Sequence, residues 1–307
     1  GRLQYLPYNM LTIWPSLIYQ VPVVKLSQAA GSFRSFLLRI IAKYFLSRCD
    51  HIFARGEKTL EYLEDLGIDK GRINLAADLA FCYKSEYCLS RENNLAVEQL
   101  CALIDQKIAG GQKILCVSPS VLVSGKMSSS EQTYNDLVIE IIKRGDYRNE
   151  TYVFVPNATR EGSKKTRNND LQVINGLRDQ AELELPSRIY AKMVWADFDL
   201  NTQGVEKIIE RANIVIASRF HAMVAALRSY KPTLVVGWGH KYKEVMQRFG
   251  QGEFVFDYDL DADRIILKLS DLLAQEDARR SQIMVAIKRE RIDSLIQFDY
   301  IAGKFFE

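Results

Sequence analysis

The chain has 307 residues, 48% of them hydrophobic, which is enough to bury a full core and to divide into two domains. A net charge of +3 from nearly balanced acids and bases gives no footprint for nucleic acid. No apolar run approaches the ~20 residues that span a bilayer, and no signal peptide is expected, although a chain that begins with Gly1 leaves room for a lost N-terminus.

From Val21 onward, short apolar runs alternate with helical patterns. Strands are expected at Val21–Ser27, His51–Ala54 and Ile73–Ala77. Six more are expected at Lys113–Ser118, Thr151–Pro156, Ser187–Met193, Ile214–Ala217, Thr233–Gly237 and Phe254–Asp257. Such alternation predicts βαβ units and parallel sheets, with binding sites outside the carboxyl ends of the strands. Between the first two strands, Phe33–Arg48 reads as a helix whose apolar face is Phe33, Phe36, Leu37, Ile40, Ile41, Tyr44 and Phe45. Its basic residues Arg34, Arg39, Lys43 and Arg48 lie elsewhere on its surface, so a core-facing helix with a solvated side is expected. A membrane-surface helix is the alternative.

The segment Phe81–Asn94 has no strong period and marks a boundary, giving domains 1–88 and 89–307. Only three strands precede it, fewer than the roughly five or six of an open sheet of this type. The first domain is therefore expected to lack its beginning, consistent with a chain that starts at Gly1. The polar stretch Asn157–Asp170 carries Arg160, Lys164, Lys165 and Arg167, expected as a solvated loop, with anion binding as the alternative. The terminal helices, Asp261–Gln275 and Asp277–Gln297, are expected to pack on the domains, with one able to cross back to the first.

The stretch Asn213-Ile-Val-Ile-Ala-Ser-Arg-Phe-His-Ala-Met-Val-Ala-Ala-Leu227 reads as a buried strand running into a helix. Ser218 stands at the expected N-cap, with Arg219 and His221 in the first turn. Unpaired backbone N–H groups and the helix dipole suit an anion there, and His221 adds a proton donor. Arg55 closes the strand His51–Ala54 before the helix Glu57–Leu66; it either points into a crevice or pairs with Glu57 or Asp50. Lys241 follows Thr233–Gly237 and opens a helix to Phe249, so an anion nearby is expected; His240 is the other candidate in that loop. Asp78 follows Ile73–Ala77 and caps a turn or orients Arg55. There is no dinucleotide fingerprint and no P-loop. The five cysteines (Cys49, Cys82, Cys88, Cys101, Cys116) and the scattered His51, His221 and His240 show no metal spacing. No cofactor is expected, and the cysteines fit a reducing, cytoplasmic setting.

These residues resemble the polysaccharide pyruvyl transferase family. The resemblance is carried by Val23-Val-Lys-Leu-Ser-Gln-Ala-Ala-Gly-Ser-Phe33, Ile52-Phe-Ala-Arg55, Asp78-Leu-Ala-Phe81, Ser218-Arg-Phe-His-Ala222, and Gly237 through Lys241 to Phe249-Gly250. It implies a GT-B-like α/β fold, two facing Rossmann-like domains with the site between them. It also implies phosphoenolpyruvate as donor substrate and a pyruvylated sugar of a cell-surface or extracellular polysaccharide as product. Arg55, His221 and Lys241 match the family's functional positions, with Arg219, Ser218, Asp78 and His240 as substrate-binding residues. The acceptor would be a sugar or lipid-linked saccharide, with peripheral contact at the inner face of the membrane. Two features depart from the family: its glycine-containing opening is missing, and Asn157 stands where a histidine is often found. A nucleotide-sugar glycosyltransferase of the same fold and a non-catalytic anion-binding relative are the competing readings.

Overall fold

The computed structural model describes residues 10–83, 90–127, 132–145, 149–159, 168–237, 239–257 and 262–306. The chain divides into two compact units, Gly1–Tyr83 with Lys288–Glu307, and Lys84–Ile287. Each is built on a parallel sheet.

The first unit carries β1 (Val24–Gln28), β2 (His51–Ala54) and β3 (Ile73–Leu75), side by side in that order. The middle strand β2 is buried throughout, which is why its sequence is an unbroken run rather than an alternating one. Ile52 and Ala54 pack with Phe45, Leu63, Leu66 and Ile68. The helix between β1 and β2 spans Phe36–Leu46 and buries Leu38, Ala42 and Phe45. Phe36, Leu37, Ile40 and Tyr44, expected on the core face, are exposed instead. Apolar residues cover so much of this helix that periodicity alone does not say which arc turns inward.

The end of the last helix (Glu276–Phe305) belongs to this first unit too. Its Gln297 Oε1 accepts from the Ser27 N–H at 2.6 Å, and its Nε2 donates to the Ala77 carbonyl at 3.2 Å. Ser294 Oγ donates to the Asp78 carbonyl at 2.9 Å. These side chains satisfy backbone groups that lie near the C-terminal ends of β1 and β3, where the sheet ladder runs out.

The second unit holds β4 (Lys113–Ser118), β5 (Glu150–Phe154), β6 (Met193–Trp195), β7 (Ile214–Ala217), β8 (Thr233–Val236) and β9 (Val255–Phe256). Their spatial order is β6-β5-β4-β7-β8-β9, all parallel. Counted within the unit this is 3-2-1-4-5-6, the Rossmann order, with its switch point between β4 and β7. Pairing of Ser118 with Ala217 brings the ends of those two strands level. Thr133 and Asp136 close a capping box that starts the Tyr134–Arg144 helix, fixing Tyr134 at its first position.

One strand is displaced from expectation. Ser187–Tyr190 is a short helix and β6 follows it at Met193–Trp195. Pro186 stands at the N-cap of that helix, and its carbonyl accepts from Ile189 at 2.8 Å and Tyr190 at 3.1 Å. A proline here nucleates a helical turn, and the strand starts only after it. Among the described residues no helix is long and apolar enough to cross a membrane.

Candidate active site

In the second unit the junction after β7 differs in detail from the sequence reading. The helix is Phe220–Arg228 and its N-cap is Arg219, with no side chain capping it. Ser218, expected as both cap and substrate ligand, is buried, and its hydroxyl shares a 2.9 Å hydrogen bond with the Tyr134 hydroxyl. The Tyr242 hydroxyl donates to the Ser218 carbonyl at 3.3 Å. Burial pushes the Tyr242 phenol up to about 12 and moves the Tyr134 phenol upward as well, so both stay protonated at neutral pH.

Arg219, expected to hold a substrate anion, is also engaged by a carboxylate of this chain. Nε donates to both Asp170 oxygens at 3.1 and 3.0 Å, Nη2 to Oδ1 at 2.5 Å, and Nη1 to Asn168 Oδ1 at 2.8 Å. The Arg219 side chain is 11% exposed and that of Asp170 0%. Asp170 also accepts from the Val121 N–H at 3.0 Å and the Ala158 N–H at 2.9 Å. One carboxylate therefore ties together the segments that follow β4, β5 and β7. Sequence reasoning passed over Asp170, which stands just before the Leu171–Glu184 helix at the end of a polar stretch. A partner 49 residues away leaves no local trace in the sequence.

His221 occupies the first turn of the Phe220–Arg228 helix and is exposed, while Phe220 is buried. The two rings are 5.7 Å apart. Lys241 Nζ lies 5.1 Å from the Phe220 ring centre and 5.2 Å from that of Tyr242. Phe220 thus neighbours two of the three expected catalytic side chains, on loops made adjacent by the pairing of β7 with β8. The helix His240–Arg248 starts from Gly239, whose φ of 101° strains any other residue. His240 is exposed at its first position. With His240 and Lys241 at the positive end of this helix, an anion in front of it would be favoured.

The first unit holds the other two expected residues. Arg55 Nη1 pairs with Asp78 Oδ2, and Asp78 Oδ1 accepts from the Ala80 N–H at 2.9 Å to cap the turn Leu79–Phe81. Asp78 therefore both caps a turn and orients Arg55. Each of the Asp78 carboxylate oxygens thus has a partner within this chain. Asp50, a suggested partner of Arg55, accepts from the Val23 N–H at 2.8 Å. Cys88 and the basic residues Arg160, Lys164, Lys165 and Arg167 lie outside the described residues.

The family model described as polysaccharide pyruvyl transferase matches residues 2–240. The chain belongs to the polysaccharide pyruvyl transferase family. Arg55, Asp78, Ser218, Arg219, His221 and His240 fall inside the matched span, and Lys241 is the next residue after it. Among individual relatives, this pyruvyl transferase family member is 22% identical over 285 residues to the amylovoran biosynthesis protein AmsJ of Erwinia amylovora. That match takes in 90% of this chain, which spans 64% of the length of AmsJ. Among solved structures, HepE of Anabaena in complex with UDP aligns with a TM-score of 0.63 at 11% identity, covering 98% of this chain and 76% of its own. MnaA of S. aureus, in a co-structure with UDP, aligns at 0.58 and 13% identity, covering 94% and 71%. Likeness at these identities speaks for the fold, which is GT-B-like with parallel α/β sheets.

Proposed function

We propose that this protein transfers a pyruvyl group from phosphoenolpyruvate to a sugar of a cell-surface or extracellular polysaccharide, closing a cyclic ketal. The observation that carries the reading is the placement of His221 and Lys241 beside Phe220, at two neighbouring helix starts, in a chain of this family. AmsJ is named for amylovoran biosynthesis, and an extracellular polysaccharide acceptor follows by analogy.

Phosphoenolpyruvate offers a carboxylate, a phosphate and an electron-rich enol carbon. His221 delivers a proton to the methylene carbon, and the double-bond pair forms that C–H bond, leaving a cationic centre at C2. A sugar hydroxyl adds to C2 and loses its proton. Phosphate then leaves with the C2–O electron pair, and a second hydroxyl of the same sugar adds and loses its proton. The products are the ketal and inorganic phosphate, with no change of oxidation state and no cofactor. Lys241 and His240 supply positive charge for the donor and for the departing phosphate. The part of Arg55 in holding the donor rests on its motif alone. Phosphoenolpyruvate as donor puts the reaction in the cytoplasm, at the inner face of the membrane if the acceptor is lipid-linked.

Titration calorimetry on the full-length protein tests this reading, comparing phosphoenolpyruvate with uridine diphosphate. Phosphoenolpyruvate binding supports it; binding of uridine diphosphate alone moves the chain to nucleotide-sugar chemistry. In turnover assays His221→Ala is expected to lose at least ~10²-fold in rate, the low end for general acid–base catalysis. A folded His221→Ala protein with normal turnover would exclude His221 from proton transfer.

A further inference from the structure

We infer that Asp170 is a positioning residue for the donor site, acting through Arg219. This rests on the pyruvyl-transfer reading and adds to it a residue that touches no substrate. Asp170 is wholly buried at the switch point of the second sheet, where ligands of Rossmann units bind. Its carboxylate accepts from the Arg219 guanidinium and from the backbone N–H groups of Val121 and Ala158. Its own N–H donates to the Ala158 carbonyl at 2.8 Å.

Arg219 is the N-cap residue of the helix whose first turn carries Phe220 and His221. Two sets of contacts therefore fix that turn. Asp170 and Asn168 hold the Arg219 side chain, and Tyr134 and Tyr242 hold Ser218. Backbone N–H groups grip the carboxylate from its own loop and from the segment after β4, so Asp170 is a fixed point rather than a mobile counter-ion. Arg in place of Lys suits this task, because a planar fork against a carboxylate sets direction as well as charge. The positions of His221 and the helix N-terminus are thereby referred to the ends of β4 and β5.

A double-mutant cycle on the full-length protein tests this role, with phosphoenolpyruvate affinity read by calorimetry and folding read by cooperative thermal melts. Asp170→Asn is expected to weaken binding by about 10-fold or more, and Arg219→Ala comparably, since small misplacements in a preorganised site carry losses of this order. The double variant should bind no more weakly than Arg219→Ala within about twofold, because Asp170 has nothing left to position. Asp170→Asn that melts cooperatively and binds like wild type overturns the inference, as does a double variant whose loss is the product of the single losses. If Asp170→Asn does not fold, the comparison of the double variant with Arg219→Ala decides alone, since removing both partners leaves no unpaired buried charge. Failure of the wild-type protein to bind phosphoenolpyruvate would be a different result: it removes the pyruvyl-transfer reading itself, and the inference with it.

Discussion

Each unit places an arginine just after a parallel strand and pairs it with an aspartate, yet the two pairs are built differently. Arg55 and Asp78 are 16% and 11% exposed, and Asp78 is held by one local turn amide and its arginine. Arg219 and Asp170 are 11% and 0% exposed, and Asp170 is gripped by amides from two separate loops. The first pair is local capping chemistry with an arginine added. The second is a long-range junction on which three strand ends depend. Burial and the number of donors, rather than the residue types, make one pair a turn and the other a cornerstone.

The largest expected effect breaks the second pair. Asp170→Ala leaves a nearly buried guanidinium and two amides unsatisfied and should destabilise the protein by ~3–5 kcal/mol in urea unfolding. Asp78→Ala frees one amide and a slightly more exposed arginine, and should lose only about 1–3 kcal/mol. Equal losses from the two would erase the contrast. Ser218→Ala, which removes the hydroxyl shared with Tyr134, should destabilise by about 1 kcal/mol, and Tyr134→Phe by a similar amount. If the pair of substitutions together loses no more than either alone, that hydrogen bond is the whole effect.

The smallest effect sharpens the picture of the first unit. Burial holds the His51 imidazole below its usual 6.5, and its ring lies 4.1 Å from that of Tyr300. In the unfolded chain His51 takes a proton near pH 6.5; in the folded chain it does so only at lower pH. Its contribution is therefore complete above about pH 6.5 and is lost as pH falls toward the folded value. Stability measured from pH 7 down to 5 should decline less steeply in His51→Phe. An unchanged slope would show that other groups govern acid sensitivity.

Legibility in the sequence followed the range of the interactions. The strands His51–Ala54, Lys113–Ser118 and Ile214–Ala217 were read to the residue, because buried parallel strands are unbroken apolar runs with abrupt ends. β6 was misplaced because Ser187-Arg-Ile-Tyr190 has strand-like residues, while the preceding proline starts a helical turn. At the site, the adjacency of the loops bearing His221 and Lys241 could be argued from consecutive strands. The pairing of the Ser218 hydroxyl with Tyr134, and the capture of Arg219 by Asp170, could not. Both are tertiary contacts that no local rule foresees. Ser218 satisfies the local rule for an N-cap, but its hydroxyl is taken by a tyrosine 84 residues earlier in the chain.

The last helix has a consequence for how the protein is made. The second unit is one continuous stretch, Lys84–Ile287, whereas the first needs Lys288–Glu307 as well as its N-terminal segment. A ribosome releases β1, β2 and β3 before the second unit, but Ser294 and Gln297, which close off Asp78, Ala77 and Ser27, emerge only after it. Vectorial synthesis ordinarily lets the N-terminal domain fold first. Here the unit that begins before the other is completed after it, and a nascent chain stalled at Ile287 would hold every residue of the second unit while the first still lacked Lys288 onward.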